Sequence, residues 1–248
     1  MKHGSSIVIA NWNVERVIPD RGRFNRISKT LSEIDSVIWF LTETHEKLIP
    51  CIGFHSVFSG VPDRDSQAGE RWSAIWSRWP IENLDEYVTD KFRCAAGRIG
   101  NSPFGELIVC ATVLPWATDP RGQEVGSFEI YKENLLNQQA DWLRLNAAFP
   151  MASLIVAGDF NQSLAPKHSY GSKEKRALLE QVLSDSRLKP LTAGKNDPIF
   201  RDSPPNACID HICVSTSVAD VKTTERWPEE QTLEGADSDH FGVRVQIG

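Results

Sequence analysis

Runs of apolar residues near the start of the chain predict its first structural unit. The run IVIANWNV at residues 7–14 is extended and contains β-branched residues, which indicates a strand. From Phe24 to Ile34 apolar residues recur at three- and four-residue spacing, the pattern of an amphipathic helix. SVIWFLTE at residues 36–43 indicates a buried strand. The chain therefore opens with a predicted β-α-β unit.

Strand-like and helical patterns continue along the rest of the chain. Residues 130–148 and 173–183 are predicted to be helices. The first of these is expected to have an apolar side formed by Leu135, Leu136, Trp142 and Leu143. Further strands are predicted at RWSAIWS (71–77), ELIVCATVL (106–114), SLIVAGDF (153–160), CIDHICVS (208–215) and FGVRVQI (241–247). Together these elements predict a sheet-based core covered by helices.

The composition, and the lack of repeats and linkers, favour a single domain over residues 1–248. The chain is 40% hydrophobic and 24% charged, close to the average for soluble globular proteins. It contains no internal repeat, and no linker rich in Pro, Gly or Ser divides it. No stretch approaches the roughly 18 apolar residues of a membrane-spanning helix. The five cysteines form no CxxC pair, so we expect reduced core residues in an intracellular, cytoplasmic protein.

The formal net charge of −6 limits the kind of partner to be expected. A protein that binds long nucleic acid mainly through phosphates usually has a basic surface. Tight, unspecific duplex binding is therefore not expected. Four early arginines form either a local basic patch or the solvated face of a helix: Arg16, Arg21, Arg23 and Arg26.

Polar residues at the ends of apolar strands are the most informative feature of the sequence. Five short motifs have this character: NWNVE (11–15), LTE (41–43), GDFN (158–161), IDH (209–211) and SDH (238–240). A carboxylate there is costly to bury unless it is paired or binds a cation. Taken singly, Asp159 could start a turn, Asp239 could cap a loop and His240 could be a core histidine. Together, such oxygen-rich groups suit Mg²⁺ and favour a metal-assisted hydrolase.

In this order and at these separations, with SRWPI (77–81) between them, the five motifs resemble the endonuclease/exonuclease/phosphatase superfamily. That superfamily includes type I deoxyribonuclease and exonuclease III-like enzymes. The resemblance spans residues 7–247. It implies an α/β (α+β) fold, a four-layer sandwich of two mixed β-sheets flanked by helices, with the active site at the strand ends.

The resemblance also implies a role for each motif. Glu43 would be the principal ligand of Mg²⁺ or Mn²⁺, with Asn13 beside it, and Asp239 would complete or support the metal site. Asp159 and Asn161 lie two residues apart, so they can project to one face and hold the attacking water and the phosphoryl group.

His240 and Asp210 complete the active site that the resemblance implies. His240 would contact the scissile phosphate as a base or as a stabiliser of negative charge, and Asp210 would orient its imidazole. The step would be in-line attack of water on phosphorus, with the metal neutralising oxygen charge.

Val113 is a departure from the pattern of the superfamily. Many relatives place His or Tyr at this position, whereas Val cannot donate a proton or a hydrogen bond. His45 is a possible substitute, or else a solvated loop histidine. Trp116 either offers a stacking face for a base or packs at the rim, and Arg121 either holds a phosphate or is a solvated loop arginine.

Three functions remain open on the sequence alone. A phosphodiesterase acting on nucleic acid, a nuclease on DNA or RNA, is the first. A phosphatase or phosphodiesterase for a small molecule or lipid headgroup is the second, because the same core serves many substrates through its loops. The third is a binding protein without turnover, which only Val113 favours. The sequence leaves the oligomeric state open.

Overall fold

The computed structural model describes residues 6–19, 21–62, 66–122, 126–165, 170–202, 205–218, 221–228 and 237–248. Within these ranges two six-stranded β-sheets contain most of the strands, which are numbered here along the chain. Each sheet is mixed, since each contains one parallel pair and is otherwise antiparallel.

The first sheet has, in spatial order, β13 (Val221–Trp227), β14 (Gly242–Ile247), β1 (Ile7–Asn13), β2 (Ile38–His45), β4 (Glu70–Ser77) and β3 (His55–Phe58). The second has β5 (Glu82–Asn83), β6 (Ala95–Ser102), β7 (Gly105–Val113), β8 (Ser153–Asp159), β12 (Asp210–Ser215) and β9 (Leu188–Pro190). A separate hairpin pairs β10 (Arg201–Asp202) with β11 (Pro205–Asn206). The parallel pairs are β1–β2 and β7–β8.

The two sheets pack face to face and enclose the central core. Ile9, Phe40 and Ile75 of the first sheet belong to one buried cluster with Val109 and Ile155 of the second. Because side chains alternate across a strand, the remaining apolar positions of the inner strands face outward and need a second cover. The helices provide that cover.

Helices lie on both outer faces. Helix α1 (Gly22–Glu33) buries Ile27 and Leu31 against the first sheet. On the second sheet lie α2 (Ser127–Ala148) and α3 (Lys173–Asp185). The Ser172 side chain caps α3 by accepting a hydrogen bond from the Lys175 backbone N–H. The predicted four-layer sandwich is confirmed.

The structure corrects one helix face and one cysteine. In α2, Leu135 and Trp142 are buried as expected, but Leu136 and Leu143 are exposed. The buried face of α2 follows a 3.6-residue period through Leu135 and Trp142, so the position after each of them turns outward. Four cysteines are buried, whereas Cys51 is exposed, and all five are free thiols. No helix in the described part of the chain is long and apolar enough to cross a membrane.

Candidate active site

The two sheets meet at the strand ends that carry the predicted polar residues. Asn13 is the last residue of β1, Asp159 is the last residue of β8, and Asp210 opens β12. Asp210 lies opposite Asp159 in the antiparallel register of β8 and β12. The Asn11 side-chain amide donates to the Gly158 carbonyl at 3.0 Å, which ties the first sheet to the second. Residues far apart in sequence are thereby brought to one place.

The Asp159 carboxylate is buried and accepts three hydrogen bonds. Its Oδ2 accepts from Asn13 Nδ2 at 3.1 Å and from Asn161 Nδ2 at 3.0 Å, and its Oδ1 accepts from the Asn161 backbone N–H at 2.8 Å. Asn161 Nδ2 also donates to the Leu114 carbonyl at 2.9 Å, which fixes the amide. Burial, followed by the negative charge of Asp210, raises the pKa of Asp159 to about 7. Asp159 thus changes protonation near neutral pH.

Asn13 and Asn161 both present their side-chain amides to the same oxygen of Asp159, Oδ2. A left-handed backbone at Asn161, with φ of 48°, aims its side chain back at Asp159. Such conformations in non-glycine residues cluster at functional sites.

His240 and Asp210 form a close pair. The His240 Nδ1 atom lies 2.6 Å from Asp210 Oδ2, and the Asp210 side chain is buried. Burial alone would lower the pKa of His240, but the charge and the hydrogen bond of Asp210 outweigh it and raise the pKa to about 10. The imidazole of the protein without bound metal is therefore a cation at neutral pH.

The SDH turn that carries His240 is anchored to β1. Ser238 Oγ donates to the Asn13 carbonyl at 2.7 Å and accepts from the His240 backbone N–H at 3.0 Å. Trp12 Nε1 donates to the His240 carbonyl at 3.1 Å. The serine of the motif thus fixes where the histidine sits, a role that the sequence did not suggest.

The three predicted metal ligands border the same region. Asn13 Nδ2 donates to Glu43 Oε1 at 3.3 Å. Glu43 has a left-handed backbone, with φ of 49°, at a point where the pairing of β2 with β4 skips one residue. Asp239 is exposed, and its Oδ1 lies 3.7 Å from His240 Nε2. The two carboxylates match the ligand preference of Mg²⁺, whereas the Asn13 oxygen accepts from the Glu15 backbone N–H at 2.9 Å and its nitrogen faces Glu43.

A different trio has the tightest spacing of potential ligand atoms. Among the described residues, Asp159, Asp210 and His240 each offer one atom within 4.8 Å of the others. We do not assign the metal to this trio, because one Asp210 oxygen is already held by His240 and both aspartates are buried. Glu43 and Asp239 instead line an open cavity, where a cation can retain waters.

A cavity of about 680 Å³ connects the predicted site residues with others. Glu43, Asp159, Asn161, Asp239 and His240 line one part of it. Its remaining lining includes Trp116 and Arg121, which were predicted with Asn161 to bind substrate. The volume falls in the range of small-molecule and cofactor pockets.

Arg16, which the sequence analysis named only as part of an early group of arginines, also lines the cavity. Four further lining residues were missed by the sequence analysis: Trp72, Arg93, Asp119 and Tyr170. The Tyr170 hydroxyl donates to Asn161 Oδ1 at 3.3 Å. None of these residues follows an apolar strand in a recognisable motif. A lone arginine or tyrosine in a loop gives no signal without its partners.

Neither Val113 nor His45 provides the proton or hydrogen-bond donor that many relatives have at the position of Val113. Val113 is fully buried and pairs with Asp159 in the register of β7 and β8. His45 ends β2 and is buried, with Nε2 at 2.9 Å from the Ala68 carbonyl and Nδ1 accepting from the Lys47 N–H at 3.1 Å. Both nitrogens of His45 hold the local backbone, so it is neither a solvated loop residue nor a lining residue of the cavity.

Solved structures share the fold over nearly the whole chain. The 3′ phosphatase NExo from Neisseria, solved with a product DNA hairpin, is 19% identical with a TM-score of 0.69, and the match covers 98% of this chain and 99% of that one. The catalytic domain of APE2 from Xenopus laevis is 18% identical with a TM-score of 0.68, covering 96% and 91%. The endonuclease domain of TRAS1, a telomere-specific non-LTR retrotransposon, is 14% identical with a TM-score of 0.64, covering 98% of each.

At identities this low the structural likeness shows a shared fold. No curated protein matches the chain. The model of the Endonuclease/Exonuclease/phosphatase family matches residues 10–240, a span that includes all five strand-end motifs. The chain therefore belongs to the Endonuclease/Exonuclease/phosphatase family, a family of phosphoester-hydrolysing enzymes.

Proposed function

We propose that the chain is a divalent-metal-dependent nuclease that hydrolyses phosphodiester bonds in DNA or RNA. The observation that carries the proposal is the buried group of Asp159, Asp210 and His240 beside a cavity that Glu43 also lines. Family membership supports phosphoester hydrolysis. The DNA hairpin bound to the structurally similar Neisseria enzyme supports a nucleic-acid substrate.

Asp159 is the proposed acceptor of the proton from the attacking water. Its pKa of about 7 suits a general base at neutral pH, because the carboxylate is available and still basic enough to take a proton. The amides of Asn13 and Asn161 hold the carboxylate in one orientation. Asn161 is also proposed to contact the phosphoryl group.

His240 is proposed to stabilise the phosphoryl oxygens rather than to remove a proton. With its pKa raised to about 10, the imidazole is protonated at neutral pH and can donate from Nε2. Asp210 is a positioning residue that holds Nδ1 and keeps the ring charged. Water then attacks phosphorus in line with the leaving oxygen, forming one P–O bond while the other breaks.

The residues around Glu43 fit a divalent cation. Three carboxylates, Glu43, Asp159 and Asp239, and the Asn161 amide line one part of the cavity. Burial, followed by the negative charge of Asp210, raises the pKa of Asp159. Glu43, Asn13 and Asp239 would hold Mg²⁺ or Mn²⁺. Such an ion supplies neutralisation of charge on the phosphoryl and leaving oxygens.

Hydrolysis of a substrate panel tests the proposal. The panel contains single- and double-stranded DNA, RNA, bis-p-nitrophenyl phosphate and p-nitrophenyl phosphate, each with Mg²⁺ or Mn²⁺ and with EDTA. We expect metal-dependent cleavage of nucleic acid that is lost in EDTA and in His240→Ala. His55→Ala is the matched control, because His55 is exposed and does not line the cavity.

The panel also separates the competing functions. Turnover confined to the small esters would replace the nuclease with a phosphatase or phosphodiesterase for small substrates. Failure to hydrolyse any substrate with either metal would contradict an enzymatic role and favour a binding protein.

A further inference from the structure

The cavity extends beyond the proposed catalytic groups to a second set of side chains. We call this set the tryptophan–arginine subsite: Trp72, Arg93, Trp116, Asp119 and Arg121. The catalytic end of the cavity is rich in carboxylates, whereas this end has two guanidinium groups, two indoles and one carboxylate. The two ends therefore suit different parts of a ligand.

Arg93 is a buried cation with unused hydrogen-bond donors. Its side chain is only 3% exposed, and Nη2 donates to Asp119 Oδ2 at 2.7 Å. Nε and Nη1 are buried and have no hydrogen-bond partner in the described ranges. Leaving such donors unpaired costs free energy, which an acceptor arriving through the cavity would recover.

The subsite carries a net positive charge. Asp119 also accepts from Arg121 Nε at 3.3 Å, so one carboxylate serves both Arg93 and Arg121. Within the five subsite residues, two guanidinium cations against one carboxylate leave an excess of one positive charge; Asp90, outside this set, also attracts Arg93. An anionic group would balance that charge in a largely buried setting, where attraction is screened less than at the surface.

The indoles add a flat apolar surface beside the cations. Arg93 Cζ lies 4.9 Å from the centre of the Trp72 ring and 5.2 Å from that of Trp116. The two rings are 5.9 Å apart and inclined by 41°. Trp72 is buried in β4, whereas Trp116 is half-buried in the loop after β7. The cation and Trp72 thus support Trp116 at the cavity wall.

We infer that this subsite binds the nucleotide unit next to the scissile phosphate. Its base stacks on Trp116, and its neighbouring phosphate pairs with Arg93 and Arg121. The position next to the scissile phosphate rests on the proposed nuclease function. Inside a duplex both faces of a base are covered by neighbouring bases, so Trp116 reaches a base face only after local unstacking. The subsite therefore selects single-stranded or dinucleotide substrates over duplex.

The overall charge of the protein agrees with binding through a few local contacts. A net charge of −6 does not favour long tracks of phosphate contacts, so affinity has to come from a few concentrated groups. The tryptophan–arginine subsite provides both groups that a nucleotide needs: an aromatic face for the base and a cation for the phosphate.

Binding without turnover tests the subsite. Isothermal titration of the full chain in EDTA would use a 5′-phosphorylated thymidine dinucleotide, with inorganic phosphate, thymidine and a blunt DNA hairpin as comparisons. We expect the dinucleotide to bind at least about 10-fold more tightly than any of the three. Trp116→Ala should weaken dinucleotide binding by roughly 5- to 100-fold, the range for loss of one stacked base.

Matched variants separate stacking from charge. Trp116→Phe keeps an aromatic face and should retain most of the affinity, whereas Arg121→Ala should weaken the dinucleotide and phosphate alike. Arg78→Ala removes an exposed arginine that pairs with Asp35 outside the cavity and should bind as the wild type does. Arg93 is not substituted, because its loss would leave the buried Asp119 carboxylate without its buried cationic partner.

Two results would overturn the subsite: equal dinucleotide affinity in Trp116→Ala and wild type, or a hairpin bound as tightly as the dinucleotide. Hydrolysis of the same dinucleotide with Mg²⁺ or Mn²⁺ is measured separately. Binding that depends on Trp116 without turnover would leave the subsite standing and contradict the nuclease. Turnover with the same KM in Trp116→Ala as in the wild type would support the nuclease and contradict the subsite.

Discussion

The charge of the Asp210 carboxylate decides the state of His240. The two side chains are 2.6 Å apart, and this contact outweighs a burial that would otherwise lower the pKa of His240. In Asp210→Asn the attracting charge is lost, so the pKa of His240 should fall from about 10 to well below its wild-type value. We expect kcat to fall by roughly 10²- to 10⁴-fold, the usual contribution of a positioned acid or base.

Two measurements check this prediction. Proton NMR of the imidazole, followed against pH in EDTA, reports the pKa of His240, and steady-state kinetics with bis-p-nitrophenyl phosphate report kcat. His55→Ala serves again as the control. An unchanged His240 titration in Asp210→Asn would contradict the positioning role of Asp210.

Individual site residues differ in whether they can be predicted from the sequence. Asn13, Asp159 and Asp210 could be found because each stands at the end of an apolar strand, where a buried polar group needs a reason. Arg93 and Tyr170 could not be found, because their significance comes from Asp119, the indoles and Asn161, which only the folded chain brings to them.

At the scale of elements, the pairing of β7 with β8 leaves no room for a side chain at Gly158. Gly158 has φ of 145°, and a Cβ atom there would lie 1.9 Å from the Thr112 carbonyl oxygen of the parallel strand. The obstacle is backbone rather than a flexible side chain. Gly158→Ala should therefore destabilise the fold by about 3 kcal/mol or more and displace the adjacent Asp159.

Urea unfolding of the variant measures this effect. The control is Gly100→Ala in β6, where an added Cβ would have no atom within 4 Å, and its cost should stay within about 1 kcal/mol. A Gly158→Ala protein as stable as the wild type would refute the close packing of β8 on β7.

Strands differ in how visible they are in the sequence. The inner strands β1, β2, β7 and β8 are buried on both faces, so they read as continuous apolar runs. The pattern did not predict β6 and β13, since AAGRIGNS has few large apolar residues and VKTTERW is mostly polar and solvent-facing. Pairing with a neighbouring strand, not local pattern, defines these two strands.

At the scale of the whole molecule, the site depends on both sheets at once. Glu43 and Asn13 come from the first sheet, and Asp159 comes from the second. The hydrogen bond from Asn13 to Asp159 crosses between them. The proposed ligands Glu43, Asn13 and Asp239 belong to β2, β1 and the turn before β14, which only the folded chain brings together, so metal binding should stabilise the entire fold.

Divalent metal should therefore raise the unfolding temperature. A ligand present at 100 times its dissociation constant stabilises the native state by about 2.7 kcal/mol. For a chain of this size that corresponds to a shift of roughly 5–10 °C. The shift should be larger at pH 8 than at pH 5.5, because Asp159, with a pKa of about 7, is charged at the higher pH and protonated at the lower.

Thermal unfolding with Mg²⁺, with Mn²⁺ and with EDTA, at both pH values, measures the effect. Glu43→Gln keeps the shape of the side chain but removes the charge of the proposed principal ligand, so its shift should nearly vanish. Glu86→Gln removes an exposed carboxylate that does not line the cavity and should retain the full shift. An equal shift in Glu43→Gln and the wild type would place the cation elsewhere. The junction of the two sheets would then be stabilised by the protein's own hydrogen bonds alone.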